Sequence, residues 1–308
     1  MARKQETTTG AAVAGPIDAR LARQPGVGQK VLRFARSKPL GALGGLLIIV
    51  LVVAAIFAGV ISPYDPVATK PVKMLTGPGS EFFLGSDQLG RDLLSRLIHG
   101  SRVSLYVGIL AVCLGTTAGT AFGVVGGYLG GALDLVFQRL MDALMAFPLL
   151  VLAMALVAML GPSLNNVTIA LAILLTPGTS RVIRGAVLSV KENQYIEAAR
   201  AMGASDGRII FRHVLPNVAA PIIVLVSIQL GGAILVEASL SFLGLGVPPP
   251  APSWGGMLSG AARSFFQIAP WMAIFPGIAI SLAVLGFNLL GDALRDVLDP
   301  RMRGSEKR

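Results

Sequence analysis

Long apolar stretches separated by short polar segments run through the chain from about residue 40 onward. The first stretch, from Leu40 to Ile61, carries no charge and is long enough to cross a hydrocarbon core of roughly 30 Å. The same reading along the chain predicts an all-α membrane protein with six transmembrane helices, over residues 40–62, 103–127, 140–160, 166–186, 218–240 and 271–291. Residues 101–296 then form a core that contains five of the six helices.

The fourth predicted span is the least regular of the six. Its apolar run from Val167 breaks at Thr176-Pro177-Gly178, and Arg181 and Arg184 follow. Such a helix is poorly suited to face lipid, so we expect it to be buried and partly hydrated near one end. Retaining it keeps both basic tails of the chain on the same side of the membrane.

Composition supports the membrane assignment. The 308 residues are 54% hydrophobic and only 14% charged, whereas soluble domains average about a quarter charged residues. The net charge of +10 comes from tails and loops beside apolar spans, which fits contact with membrane lipid and does not favour nucleic acid. A single cysteine excludes a disulfide framework.

The distribution of basic residues predicts the orientation. With the N-terminus inside, the inner segments hold 20 of the 26 Lys and Arg residues, which supports an N-in, C-in arrangement. Residues 1–39 and 297–308 are then cytoplasmic tails, and residues 63–100 form an extracytoplasmic segment with one amphipathic helix near its end. Within that segment, Arg91 and Asp92 could form a local salt bridge.

Four glycines of the second span are spaced four residues apart and therefore share one helical face, at Gly115, Gly119, Gly123 and Gly127. Small residues in this pattern allow a neighbouring backbone to approach closely. The pattern leaves open whether that neighbour belongs to the same chain or to another subunit.

Catalytic signatures are absent from the sequence. There is no Gly-Lys dipeptide, hence no Walker A loop, and no metal-protease or nucleophile-elbow pattern. We therefore expect no enzyme and no cofactor in this chain. The apolar spans contain two acids, Asp142 and Glu237. An ion-coupled transporter usually needs more buried acids than this to relay protons or bind ions. For Glu237, structural hydrogen bonding, a place in a translocation path or gate, and proton coupling all remain open.

A polar, basic segment, residues 191–216, interrupts the apolar pattern. Its first part favours a helix, Gly203 suits a left-handed C-cap, and Ser205 can cap a second helix with Asp206 in its first turn. Pro216 marks the break before the next span. The sequence thus predicts two short helices joined at a sharp corner.

The expected surface of this corner is mixed. Because Ala198 and Ala199 have small side chains, they should allow a groove of a partner protein to close over one side of the corner. Glu197 can offer a carboxylate to a basic residue of that partner. We expect an apolar side from Ile209, Ile210 and Phe211, with Arg208 and Arg212 directed towards water or a partner. An ordinary solvated loop remains the alternative.

The sequence of the segment resembles the coupling loop of ABC importer permeases: Glu197-Ala-Ala, three residues, Gly203, then Leu215-Pro216. His213 departs from the aliphatic residue frequent in the broad family and resembles the dipeptide/oligopeptide/nickel permeases. Three further stretches resemble the C-type subunit of that subgroup: residues 84–96 with 100–105, residues 134–148, and residues 237–246 with 252–257. Trp254 in the last stretch is expected at the membrane interface or against a binding protein or substrate.

The resemblance implies a type I importer permease fold with cytoplasmic coupling helices, in a bacterial cytoplasmic membrane. It implies import of di- or oligopeptides, with nickel or another small solute as the alternative. It also implies a homologous second permease, two cytoplasmic ATPases that hydrolyse ATP, and an extracytoplasmic substrate-binding protein. The residues expected to couple to the ATPases are Glu197, Ala198, Ala199, Arg200, Gly203, Asp206, Leu215 and Pro216. A stand-alone secondary transporter, which would not need this element, and a non-transport membrane scaffold are the rivals from other classes.

Overall fold

The computed structural model describes residue 28 and residues 34–298, so most of both predicted tails lies outside the described residues. The described chain is helical. Its helices are α1 (Pro39–Ile56), α2 (Ala58–Ile61), α3 (Leu93–Leu129), α4 (Gly131–Met145), α5 (Leu149–Leu160), α6 (Leu164–Lys191), α7 (Gln194–Ala201), α8 (Asp206–Ile209), α9 (Leu215–Asn217), α10 (Ala219–Phe242), α11 (Trp254–Leu258), α12 (Ala261–Ser264) and α13 (Trp271–Leu298).

Five helices are long and apolar enough to cross a membrane: α1, α3, α6, α10 and α13. The third predicted span, 140–160, is wrong as a single helix, because α4 and α5 meet at an angle of 94°. Pro148 directly precedes α5 and cannot donate the hydrogen bond that would continue α4. The 12 residues of α5 span only about 18 Å, so the count is six only if the bent pair is one span.

Helix α3 is longer than the span predicted over residues 103–127. It runs for 37 residues and absorbs the short amphipathic helix expected near the end of the preceding segment. The carboxylate of Asp92 caps it by accepting a hydrogen bond from the Ser95 backbone N–H at 2.8 Å. No proline follows within the helix, so nothing in the local sequence separates the two predicted pieces.

Helix α6 confirms the predicted fourth span over residues 166–186 and passes through Pro177 as one helix. The two arginines that made this span irregular are both paired with α4. Arg184 forms two hydrogen bonds of 2.6 Å with the Asp134 carboxylate, and Arg181 lies 2.8 Å from Asp142. These pairs compensate the charges of α6 and hold α4 beside it.

The four-residue glycine pattern of α3 lies against α6 of the same chain. A Cβ atom on Gly115, Gly119 or Gly123 would lie 2.7 Å from a backbone carbonyl oxygen of α6. Those carbonyls belong to Ala172, Thr176 and Ser180, which are also four residues apart. The glycine face of α3 and this row of carbonyls on α6 have the same spacing, which allows the two helices to approach closely. This face of α3 is therefore occupied within the chain.

Two tryptophans close the N-terminal end of α3. Trp254 is 2% exposed, and its Nε1 donates to the Leu97 carbonyl at 2.8 Å. Trp271 Nε1 donates to the Ser86 carbonyl at 3.1 Å. Trp254 is therefore a core residue, and the expectation that it contacts a partner was wrong. A sequence could not show that Gly100 leaves the space its ring occupies.

The expected Arg91–Asp92 salt bridge is also replaced by another arrangement. Arg91 Nε donates to Asp87 Oδ2 at 2.6 Å, and Arg96 Nε lies 3.5 Å from the same oxygen. Asp92 instead caps α3. The three charged side chains of the Asp87 cluster are nearly buried, unlike those of an ordinary surface salt bridge.

Candidate functional site

The polar segment forms a corner of short helices after α6. Helix α7 ends before Gly203, which has the left-handed φ of +80° that its predicted C-cap role requires. Ser205 occupies the N-cap position of α8, but its side chain makes no capping hydrogen bond. A π-helical turn, Ile210–Val214, and α9 then lead into α10. We call residues 191–217 the corner segment.

The inner side of the corner segment is apolar and closed. Its buried side chains pack with residues of α3 and α6 and with Val218 in one cluster: Ile196, Ala199, Ile209 and Val214 with Val124, Tyr128, Ile183, Val187 and Val218. Burial of so many aliphatic groups makes the segment part of the helix bundle. A displacement of the corner therefore acts on α3 and α6 together.

Tyr128, near the end of α3, joins the polar groups of the corner segment. Its hydroxyl donates to Asp206 Oδ1 at 2.9 Å, and its backbone carbonyl accepts from Lys191 Nζ at 2.8 Å. The guanidinium of Arg200 lies 5.3 Å from the ring centroid, and interaction with the Tyr128 side chain raises the pKa of Arg200. Sequence reasoning missed Tyr128, because its partners lie more than sixty residues away.

The outer side of the corner segment is open and partly apolar. Met202 is 81% exposed and Phe211 is 73% exposed, and Glu197, Ala198 and Arg208 share this exposed character. Large apolar side chains with this much exposure are typical of a contact surface. We call Met202, Phe211 and the exposed residues between them the open face.

Two details of the predicted surface were wrong. Ala199 belongs to the buried cluster, so of the two alanines Ala198 alone can face a partner. The apolar side is also divided, because Ile209 is fully buried while Phe211 points away from the core. Ile209 and Phe211 are two residues apart, about 200° around a helix, so only one of them can face the core.

The remaining predicted residues of the segment have mixed environments. Leu215 is half-buried beside the apolar cluster, and Pro216 is exposed. The His213 ring is half-buried, with its centroid 6.3 Å from that of Tyr195. His213 therefore lies at the edge of the open face, next to an exposed aromatic residue.

Glu237 is completely buried between α10 and α3. Its carboxyl group accepts hydrogen bonds from Ser241 Oγ at 2.7 Å and Ser104 Oγ at 3.2 Å. This arrangement matches the structural role considered from the sequence. In this conformation the Glu237 side chain is not exposed to any open surface.

A second polar contact links three helices in the middle of the bundle. Gln229 of α10 accepts from Thr116 Oγ1 of α3 at 3.2 Å and donates to Thr179 Oγ1 of α6 at 2.8 Å. The amide thus fixes α10 relative to the α3–α6 pair. Displacement of the corner segment can reach α10 both through this contact and through the direct connection at α9.

Comparison with known proteins agrees with this arrangement. Residues 119–304 match the family described as the binding-protein-dependent transport system inner membrane component, which is more than half of the chain. The chain belongs to this family. Residues 27–78 also match the N-terminal transmembrane domain of oligopeptide transport permease C. The protein is therefore a multi-pass inner-membrane permease of an ABC importer and not an enzyme.

Similar members of the family cover nearly the whole chain. The dipeptide transport system permease of Alkalihalophilus pseudofirmus is 46% identical over 89% of this chain and 90% of its own length. The glutathione transport system permease of Pectobacterium atrosepticum is also 46% identical, over 88% and 90%. The fold resembles the inward-facing MetNI methionine ABC transporter, with a TM-score of 0.55 and 18% identity over 66% of this chain and 96% of that one.

Proposed function

We propose that this permease carries di- and oligopeptides across the cytoplasmic membrane. The similar permeases named for dipeptides, di- and tripeptides, and glutathione support a small peptide as the cargo. Nickel or another small solute is the alternative that a transport assay must separate from it. ATP is hydrolysed by partner subunits.

The observation that carries the mechanism is the two-sided corner segment. Its inner side is clamped to α3 and α6 through the apolar cluster and Tyr128, while its open face presents Met202 and Phe211 to a partner. A surface that is rigidly attached on one side and apolar on the other is suited to receive force from a second protein. We assign the open face, with Glu197 and Ala198, as the docking surface for the ATPase subunits on the cytoplasmic side.

The complete importer contains a homologous second permease, two cytoplasmic ATPases and an extracytoplasmic binding protein. Closure of the ATPases displaces the corner segment, and Tyr128 and Gln229 transmit the displacement to α3, α6 and α10. The helices then rearrange around a path shared with the second permease, giving alternating access. Coupling requires the open face to contact the ATPases differently in the two states.

The test uses the complete importer reconstituted in lipid with its binding protein. Met202→Asp and Phe211→Asp, alone and together, place carboxylates on the open face without touching the buried cluster. We expect peptide-stimulated ATP hydrolysis and peptide uptake to fall by at least about tenfold, since contact residues of this kind contribute on the order of 1–2 kcal/mol or more. Basal assembly of the two permeases is measured in parallel.

Phe83→Asp is the matched control. Phe83 is also an exposed phenylalanine, but it lies in the segment before α3, a helix roughly 55 Å long that has Tyr128 near its other end. This variant should keep its coupling. Full activity of the double open-face variant, or peptide uptake by this chain without any ATPase, would overturn the proposed mechanism. Uptake of nickel without uptake of peptide would show that the cargo is not a peptide.

A further inference from the structure

A cavity of about 440 Å³ lies at the N-terminal end of α3, far from the corner segment. It is formed by the segment before α3, the turn between α5 and α6, the segment after α10, and the start of α13. The lining includes Asp87, Arg91, Arg96, Pro162, Met257 and Met272. Its volume falls in the range of roughly 300–1,000 Å³ that is usual for pockets that bind small molecules.

The charged lining of the cavity has an excess of positive charge. Arg91 and Arg96 are only 8% and 7% exposed, and both direct Nε towards the same oxygen of Asp87. Two other acids lie nearby without lining the cavity. Asp92 accepts from Ser95 and caps α3, and the buried Glu237 accepts from Ser241, which is a lining residue. One carboxylate therefore serves two guanidinium groups.

Donor groups of these arginines remain unused. Arg96 Nη1 donates to the Pro66 carbonyl at 2.9 Å, whereas the Nη groups of Arg91 have no hydrogen-bond partner among residues 34–298. A guanidinium that is largely withdrawn from water gains most from an anionic acceptor, and a carboxylate can take two parallel bonds from it. The geometry of the lining thus favours one more carboxylate beside Asp87.

We propose that this cavity binds a small peptide through its free C-terminal carboxylate, held by Arg91 and Arg96, while the methionines and prolines contact its side chains. The identity of the ligand as a peptide rests on the proposed function. The cavity is then a substrate site of the permease itself, separate from the site on the binding protein.

The direct test is binding of radiolabelled alanyl-alanine to the purified importer in lipid nanodiscs, with the binding protein left out. We expect saturable binding to the wild type and at least about tenfold weaker competition by the C-terminal amide of the same dipeptide. Arg91→Gln should weaken binding by at least about tenfold, as loss of a charge-assisted pair predicts. Arg263→Gln, an exposed arginine outside the cavity, should bind as the wild type does.

A second variant leaves the Asp87–Arg91 pair intact in case Arg91→Gln fails to assemble. Ala251 is exposed on the cavity wall, so Ala251→Trp should fill the cavity and abolish binding while assembly persists. Normal binding by an assembled Ala251→Trp complex, or equal competition by dipeptide and amide, would overturn the inference. If peptide uptake continues in that case, the proposed function stands without this site. If the wild type binds the dipeptide but imports no peptide, the proposed function fails and the site stands.

Discussion

The two ends of α3 are built in opposite ways. At the N-terminal end, the Asp87 cluster, Trp254 and Trp271 are buried and join segments that are distant in sequence. At the C-terminal end, Tyr128 holds a segment whose other side leaves Met202 and Phe211 exposed. The N-terminal end is therefore mostly buried and encloses a cavity, whereas the C-terminal end leaves a surface exposed. The same helix therefore connects the region of the proposed peptide site to the proposed docking surface for the ATPases.

The largest expected effect comes from removing the shared carboxylate at the N-terminal end. Asp87→Ala leaves two nearly buried guanidinium groups without their acid, which should destabilise the protein by about 3–5 kcal/mol. Thermal unfolding of the purified permease pair measures this. Glu81→Ala, which removes an exposed acid from the same segment, should change the unfolding temperature little. Equal losses in both variants would show that burial of the Asp87 cluster does not matter.

A smaller effect is expected in the helix contact between the two ends. Gly123→Ala places a methyl group 2.7 Å from the Ser180 carbonyl, so α3 and α6 must move apart, at a cost of about 1–3 kcal/mol. Gly185→Ala adds the same methyl to α6, where no atom lies within 4 Å. The control should be neutral or slightly stabilising, because alanine favours a helix. Two equal unfolding temperatures would contradict the close α3–α6 packing.

The smallest effect on stability, with a larger one on function, is expected at the C-terminal end. Tyr128→Phe removes the hydroxyl that donates to Asp206, a loss of about 1 kcal/mol. Peptide stimulation of ATP hydrolysis should fall by a larger factor than this loss of stability explains. Tyr106→Phe is the control, since that exposed hydroxyl makes only a 3.4 Å contact with Asn165. Unchanged stimulation in Tyr128→Phe would remove Tyr128 from the coupling route.

Local signals in the sequence were sufficient for much of the fold. Apolar runs located the long helices, and Gly203 correctly indicated the corner because its left-handed φ is a property of a single residue. The bend before α5 was missed, although Pro148 was visible, because the apolar run continues on both sides of it. The fourth span, α6, was located correctly, but its contacts with α3 and α4 were not, because the contacting residues are distant in sequence.

The candidate site divides in the same manner. The exposed positions of the corner segment were largely anticipated, but the burial of Ala199 and Ile209 depends on the cluster formed with α3 and α6. Tyr128, Gln229 and the Asp87 cluster were not identified as linking residues. Their partners are brought together only by the packed bundle, and a single sequence contains no record of that proximity.

The most direct test of the central claim is site-specific cross-linking in the assembled importer. Cys113, the single cysteine of the chain, is replaced by serine, and Met202→Cys or Phe83→Cys is introduced for reaction with a short cysteine-to-amine cross-linker. Met202→Cys should cross-link to the ATPase subunits with a yield that changes on addition of ATP, and Phe83→Cys should not. An absence of cross-links from Met202→Cys, or cross-links to the ATPases from Phe83→Cys, would contradict the assignment of the open face as the coupling surface.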